Sequence, residues 1–183
     1  MNLLLKFAPD HPYRFLGIGS EALALGDWEK AEAAFRRALQ DGRLPTLLVR
    51  LGEVLRLRGG DARLEEALGL ADEVLAKIPD HAGGHLLRAR VLAQLGRWAE
   101  AAEETEVFLT FQPENAAGRL VRAQCRFEAG DLRGAGEEVQ FLSSRKAQLD
   151  KRDVRTLRLL RSALLEKVKA LRAGRGLPPP RRS

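Results

Sequence analysis

Apolar positions along this chain recur at the spacing of helices. No stretch alternates β-branched and polar residues between turn signals, so strands are not expected. From Asp150, Val154, Leu157, Leu160, Leu164, Val168 and Leu171 fall on one face of a helix, which predicts an amphipathic segment over 150–174 ending at Gly174. Upstream, short helical runs are punctuated by Gly26, Gly59, Gly96 and Gly130, at spacings of 33, 37 and 34. Alanines follow in register at Ala31, Ala67, Ala101 and Ala135, spaced 36, 34 and 34.

A second marker separates the units: Leu75-Ala76-Lys77-Ile78-Pro79-Asp80-His81 and Leu109-Thr110-Phe111-Gln112-Pro113-Glu114-Asn115, with an earlier counterpart at Leu5-Lys6-Phe7-Ala8-Pro9-Asp10-His11. Each marker has a physical reason. A turn glycine takes a left-handed backbone that a Cβ resists. A small residue at a helix crossing (Gly19, Gly52, Ala89, Ala123) lets two backbones approach. Proline ends a helix because it has no N–H to continue the ladder.

A helix–turn–helix unit of about 34 residues carrying these markers resembles the tetratricopeptide repeat (TPR). The resemblance implies an all-α TPR solenoid, a right-handed superhelix of helix–turn–helix repeats with a C-terminal capping helix. On that pattern residues 1–11 are the tail of an incomplete repeat. Four repeats follow at 12–45, 46–81, 82–115 and 116–149, then an amphipathic capping helix at 150–174 and a disordered basic, Pro-rich tail at 175–183. The bulky residue after each turn is Trp28, Leu64, Trp98 and Leu132. The fourth repeat departs from the pattern, with Arg119 and Arg126 at positions where large apolar residues usually stand.

Composition agrees with helices and bounds the function. Leu, Ala, Arg and Glu dominate, and these lose little freedom in a helix. The formal net charge of +6 is unevenly spread: residues 1–150 carry 20 Lys/Arg against 23 Asp/Glu, while residues 151–183 carry 11 against 2. The lone Cys125 gives no internal disulfide. No apolar run approaches the roughly 20 residues of a membrane span, and Met1–Phe7 lacks a basic lead and a cleavage site, so a cytoplasmic protein is expected. No nucleophile elbow, phosphate loop or metal-ligand set stands out, and neither catalysis nor a cofactor is expected.

Family resemblance further implies that the first helix of each repeat lines a concave groove that binds a partner's peptide or helix. Helical spacing assigns to that wall Tyr13, Leu16, Ser20 and Leu23, then Val49, Arg50, Glu53 and Arg56, then Leu86, Arg90 and Gln94, and finally Leu120, Gln124 and Phe127. Some TPR domains clamp a terminal carboxylate with basic residues; the matching places here carry Leu16, Ser20, Arg50, Gly83 and Leu87, a single cation, which disfavours that ligand class. The expected partner is another protein, with a homo-oligomer through the incomplete repeat ends as a further option. Nucleic acid is not the expected ligand; it, or an acidic partner, is the alternative, through the basic C-terminal helix.

Overall fold

The structure, a computed structural model, describes residues 12–174, with side chains from Arg14 onward. Segments 1–11 and 175–183, read above as a repeat tail and a disordered tail, lie outside the described residues. So does the Tyr13 side chain. Among the described residues the secondary structure is entirely helical. The chain divides at Gly96 into two compact units, within the segment read from sequence as the third repeat.

The first unit holds α1 (Pro12–Leu25), α2 (Trp28–Asp41), α3 (Pro45–Arg58), α4 (Asp61–Lys77) and α5 (Ala82–Gln94). Successive helices pack as hairpins, and α3 also touches both α1 and α5, so these three form one layer. Its core contains Phe35, Leu48, Val54, Leu55, Val74, Val91 and Leu92, none with more than 0% of its surface exposed. The crossings are close because the predicted small residues stand there. A Cβ on Gly19 would lie 2.6 Å from the Phe35 ring, one on Gly52 would collide with Leu87, and Ala89 is fully buried. At the hairpin turns Gly26 and Gly59 take φ of 80° and 72°, the positive values the sequence predicts for them. Asp27 then caps α2, its carboxylate accepting from the Lys30 N–H at 3.1 Å.

Ion pairs tie the helices of this unit together across one repeat length. Arg36 donates to Glu66 at 2.7 and 2.9 Å, Arg43 pairs with Glu73, and Arg58 reaches Glu32 at 2.6 Å and Glu29 at 3.1 Å. Most of these side chains are solvated, so each pair adds at most about 1 kcal/mol. Their larger role is to fix the register of one hairpin on the next.

The second unit holds α6 (Trp98–Phe111), α7 (Ala116–Glu128), α8 (Leu132–Ser144), a short 3-10 turn (Lys146–Gln148) and α9 (Lys151–Gly174). Asn115 caps α7 by accepting from the N–H groups of Ala117 and Gly118 at 3.0 and 3.1 Å. Gly118 leaves room for the Phe108 ring, which a Cβ would approach to 2.5 Å. The predicted small residue Ala123 joins a core with Ala116, Leu120, Val139 and Leu142. Leu157 and Leu160 of α9 complete this core, and Leu164 is also buried. The apolar stripe of α9 outlasts the surface that covers it: Val168 is half-buried and Leu171 is 51% exposed.

Candidate functional site

The layer of α1, α3 and α5 carries most of the residues assigned to the binding wall. On α1, Leu16, Ser20 and Leu23 are half-buried. On α3, Val49 is half-buried and Arg50 exposed; on α5, Leu86 and Arg90 are half-buried and Gln94 exposed. A Cβ on Gly83 would lie 3.7 Å from Val49, which places α3 and α5 side by side at this level with little between them.

Four of the assigned polar residues are in contact. Arg56 embraces Glu53 with Nε at 2.7 Å and Nη2 at 3.0 Å, and its Nη1 donates to the Gln94 amide oxygen at 3.2 Å. Arg90 donates to the same Glu53 carboxylate from the neighbouring helix. Burial opposes ionisation of Glu53, but the charges and hydrogen bonds of Arg56 and Arg90 prevail and hold its carboxyl at about 2. One carboxylate thus bolts α3 to α5. Arg56, expected as a wall cation, is 7% exposed and committed to this bolt, which removes it as a free ligand contact. Arg50 differs: it is exposed and makes no ion pair among the described residues.

In the second unit the assignment needs a larger correction. Leu120 is 2% exposed and shares its core with Leu157 and Leu160 of α9, so it offers no surface to a ligand. Gln124 and Phe127 are half-buried, and the Lys167 ammonium lies over the Phe127 ring, 4.7 Å from its centre. Helix α9 therefore already covers Leu120 and one face of the Phe127 ring.

The unexpected arginines of α7 have a partner that the sequence reading missed. Glu138 of α8, with a side chain 5% exposed, receives Arg122 at 2.6 Å, Arg119 at 3.2 Å and Arg126 at 3.7 Å. Arg119 and Arg145 each stack on the Phe141 ring, 3.8 Å from its centre. The spacing of Arg119, Arg122 and Arg126 along one helical face was the available signal.

Little here favours covalent chemistry. Burial pushes the Cys125 thiol up to about 11, which keeps it protonated and unreactive near neutral pH. His81 caps α5, its Nδ1 accepting from the Gly84 N–H at 3.0 Å, while His85 Nε2 donates to the Pro79 carbonyl at 2.8 Å. Among the described residues no three His, Cys, Asp or Glu side chains converge as a metal would require. None of the described helices is long and apolar enough to cross a membrane.

Comparison with known proteins agrees with this architecture. The tetratricopeptide repeat family model matches residues 16–62 and 56–107. Among solved structures, a thermophilic TPR protein of Thermus thermophilus is similar with a TM-score of 0.67 at 23% identity, covering 88% of this chain and 85% of that one. PilW, a widely conserved type IV pilus biogenesis factor, gives 0.66 at 22% identity, covering 92% and 80%. Residues 41 to the end of MamA from Desulfovibrio magneticus RS-1 give 0.62 at 17% identity, covering 88% and 97%. Curated proteins give no match to the sequence. With the repeat model spanning half the chain and the helix hairpins, crossings and turn glycines in its register, the protein belongs to the tetratricopeptide repeat family, whose members in general are non-catalytic scaffolds for protein–protein interaction.

Proposed function

We propose that this protein is a cytoplasmic scaffold that holds a peptide or helix of another protein on the wall formed by α1, α3 and α5. In this reading 12–45, 46–81, 82–115 and 116–149 are four repeats, and 150–174 is their cap. The observation that carries the proposal is the contrast between Arg50 and its neighbours. Arg56 and Arg90 are already engaged by Glu53, while Arg50 stands exposed with no ion pair among the described residues.

A partner carboxylate is the natural complement of Arg50, and half-buried Val49 and Leu86 supply apolar area beside it. The Glu53 bolt orders this part of the wall before a ligand arrives, which lowers the entropy lost on binding. Gln124 and Phe127 offer a smaller surface of the same kind on α7.

The test compares proteins recovered from native lysate by the wild type and by Arg50→Glu combined with Leu86→Ser. Neither altered side chain belongs to the fully buried core, so the variant is expected to stay folded, with a modest loss in melting temperature that a thermal melt measures beforehand. Loss of a discrete partner from the variant supports the wall. An unchanged partner set sinks it.

A further inference from the structure

Arginine in this fold is almost always met by a carboxylate. Among the described arginines of α2–α8 and their connecting turns, all but Arg50 and Arg63 lie within ion-pair reach of Asp or Glu. On α9 the habit breaks. Lys151, Arg155, Arg158 and Arg161 are exposed, Arg172 is half-exposed, and none of the five has an acidic partner among the described residues. The helix carries only two acids, Asp153 and Glu166, and Glu166 is taken by Lys169 at 2.6 Å.

These five cations are not scattered round the helix. At 3.6 residues per turn they fall within a sector of roughly 120°, along about 30 Å of helix axis. Leu165, 53% exposed, lies inside that sector, and Leu159, 63% exposed, borders it beside Arg155. Leu157, Leu160 and Leu164, buried in the core, lie on a separate face centred roughly 130° from that sector. A cap needs only that buried face. The outward face has more positive charge than solvation of a cap requires, and two exposed leucines stand in or beside it.

We infer that the outward face of α9 is a second docking surface, and that its occupant is an acidic amphipathic helix of a partner protein. Carboxylates at helical spacing on that partner neutralise Arg155, Arg158 and Arg161, while an apolar seam beside them covers Leu165. A nucleic acid fits less well. Phosphates would satisfy the cations but leave Leu165 against a hydrated backbone, and α9 has no aromatic side chain on which a base could stack. This surface goes beyond the α1–α3–α5 wall and uses none of its residues, so either can fail alone.

The experiment measures binding to the whole protein by fluorescence anisotropy at about 0.15 M salt, where charges more than about 8 Å apart are screened. The probe is a labelled helical peptide of about 20 residues, matched to the stripe, with glutamates along one face and leucines beside them. It is compared with a scrambled peptide of the same composition and with DNA and RNA of the same length. The amphipathic peptide is expected to bind at least about tenfold more tightly than the scrambled one and than either nucleic acid. Arg158→Glu with Arg161→Glu should weaken it by about tenfold or more, and Leu165→Ser by roughly threefold. Arg158→Gln with Arg161→Gln serves in place of the reversal should that variant lose helicity. Arg50→Glu with Leu86→Ser should leave this binding unchanged, which separates it from the wall. Equal affinity for the scrambled peptide, tighter binding of nucleic acid, no binding of the peptide, or salt-sensitive self-association through α9 would each overturn the inference.

Discussion

The Phe35 ring occupies the space where Gly19 lacks a side chain: a Cβ on Gly19 would stand 2.6 Å from Cε1 and 2.8 Å from Cδ1 and Cζ. Phe35 is itself fully buried and has nowhere to retreat. Gly19→Ala should therefore cost about 1–3 kcal/mol through overpacking. Gly17, two positions earlier on the same helix, has nothing within 4 Å of its hypothetical Cβ and no positive φ. Gly17→Ala should instead stabilise by up to about 1 kcal/mol, the helix-propensity gain. Thermal melts of the two variants test the pair, and equal shifts would contradict the packing argument.

Glu53 makes folding sensitive to acid. Its carboxyl sits at about 2 in the folded protein, against an ordinary 4.5. A group depressed in this way contributes stability above its unfolded value and loses it as pH falls through the folded one. The window is thus from about pH 4.5 down to about pH 2. Glu73 lies at about 2 as well, held there by Arg43 and Lys77, but closer to solvent, where screening reduces its weight. Denaturant midpoints measured across this range should fall steeply for the wild type and more gently for Glu53→Gln. Parallel slopes would mean that Arg56 and Arg90 do not stabilise the ionised carboxylate.

Removing Glu138 should be among the most damaging single changes in the second unit. Three guanidinium groups lean on that one carboxylate, and Arg122 Nε is already buried without a hydrogen-bond partner. Glu138→Ala leaves Arg119 and Arg122 with only the exposed Glu114 and Glu106, and removes the carboxylate facing Arg126, at a cost of about 3 kcal/mol, the low end for a broken buried pair. The exposed Glu128, without an ion pair among the described residues, is the control; Glu128→Ala should stay within about 0.5 kcal/mol. Urea midpoints for the two variants decide the matter.

The contrast between those two glutamates marks what a sequence can and cannot disclose here. Turn glycines, crossing residues and the buried stripe of α9 were legible because each is dictated by local backbone geometry or by the period of one helix. The Glu138 cluster was not, because it joins residues on different helices and nothing local distinguishes Glu138 from the neighbouring exposed Glu137. The same holds for Arg36–Glu66 and Arg43–Glu73, each spanning 30 residues. Arg56 was read as a wall cation since spacing alone says which face a side chain leaves from, and not that Glu53 will fold it back.

Leu86 and Leu120 carry the last test, because they hold the same place in their helices, each four residues after the first helical alanine. Periodicity treats them alike. Packing does not: Leu86 is half-buried, whereas Leu120 is 2% exposed in the core completed by Leu157 and Leu160. Leu120→Ala should therefore cost about 2–5 kcal/mol, the transfer and cavity cost of a core leucine. Leu86→Ala should cost less, about 1–2 kcal/mol, since part of that side chain is already in water. Partner binding should respond in the opposite sense, weakened by the Leu86 change and unaffected by the Leu120 change wherever the protein stays folded. Melting curves fix the first half of the comparison, and a binding assay run below both melting temperatures fixes the second. A large stability loss at Leu86 would make it a core residue and take it off the wall.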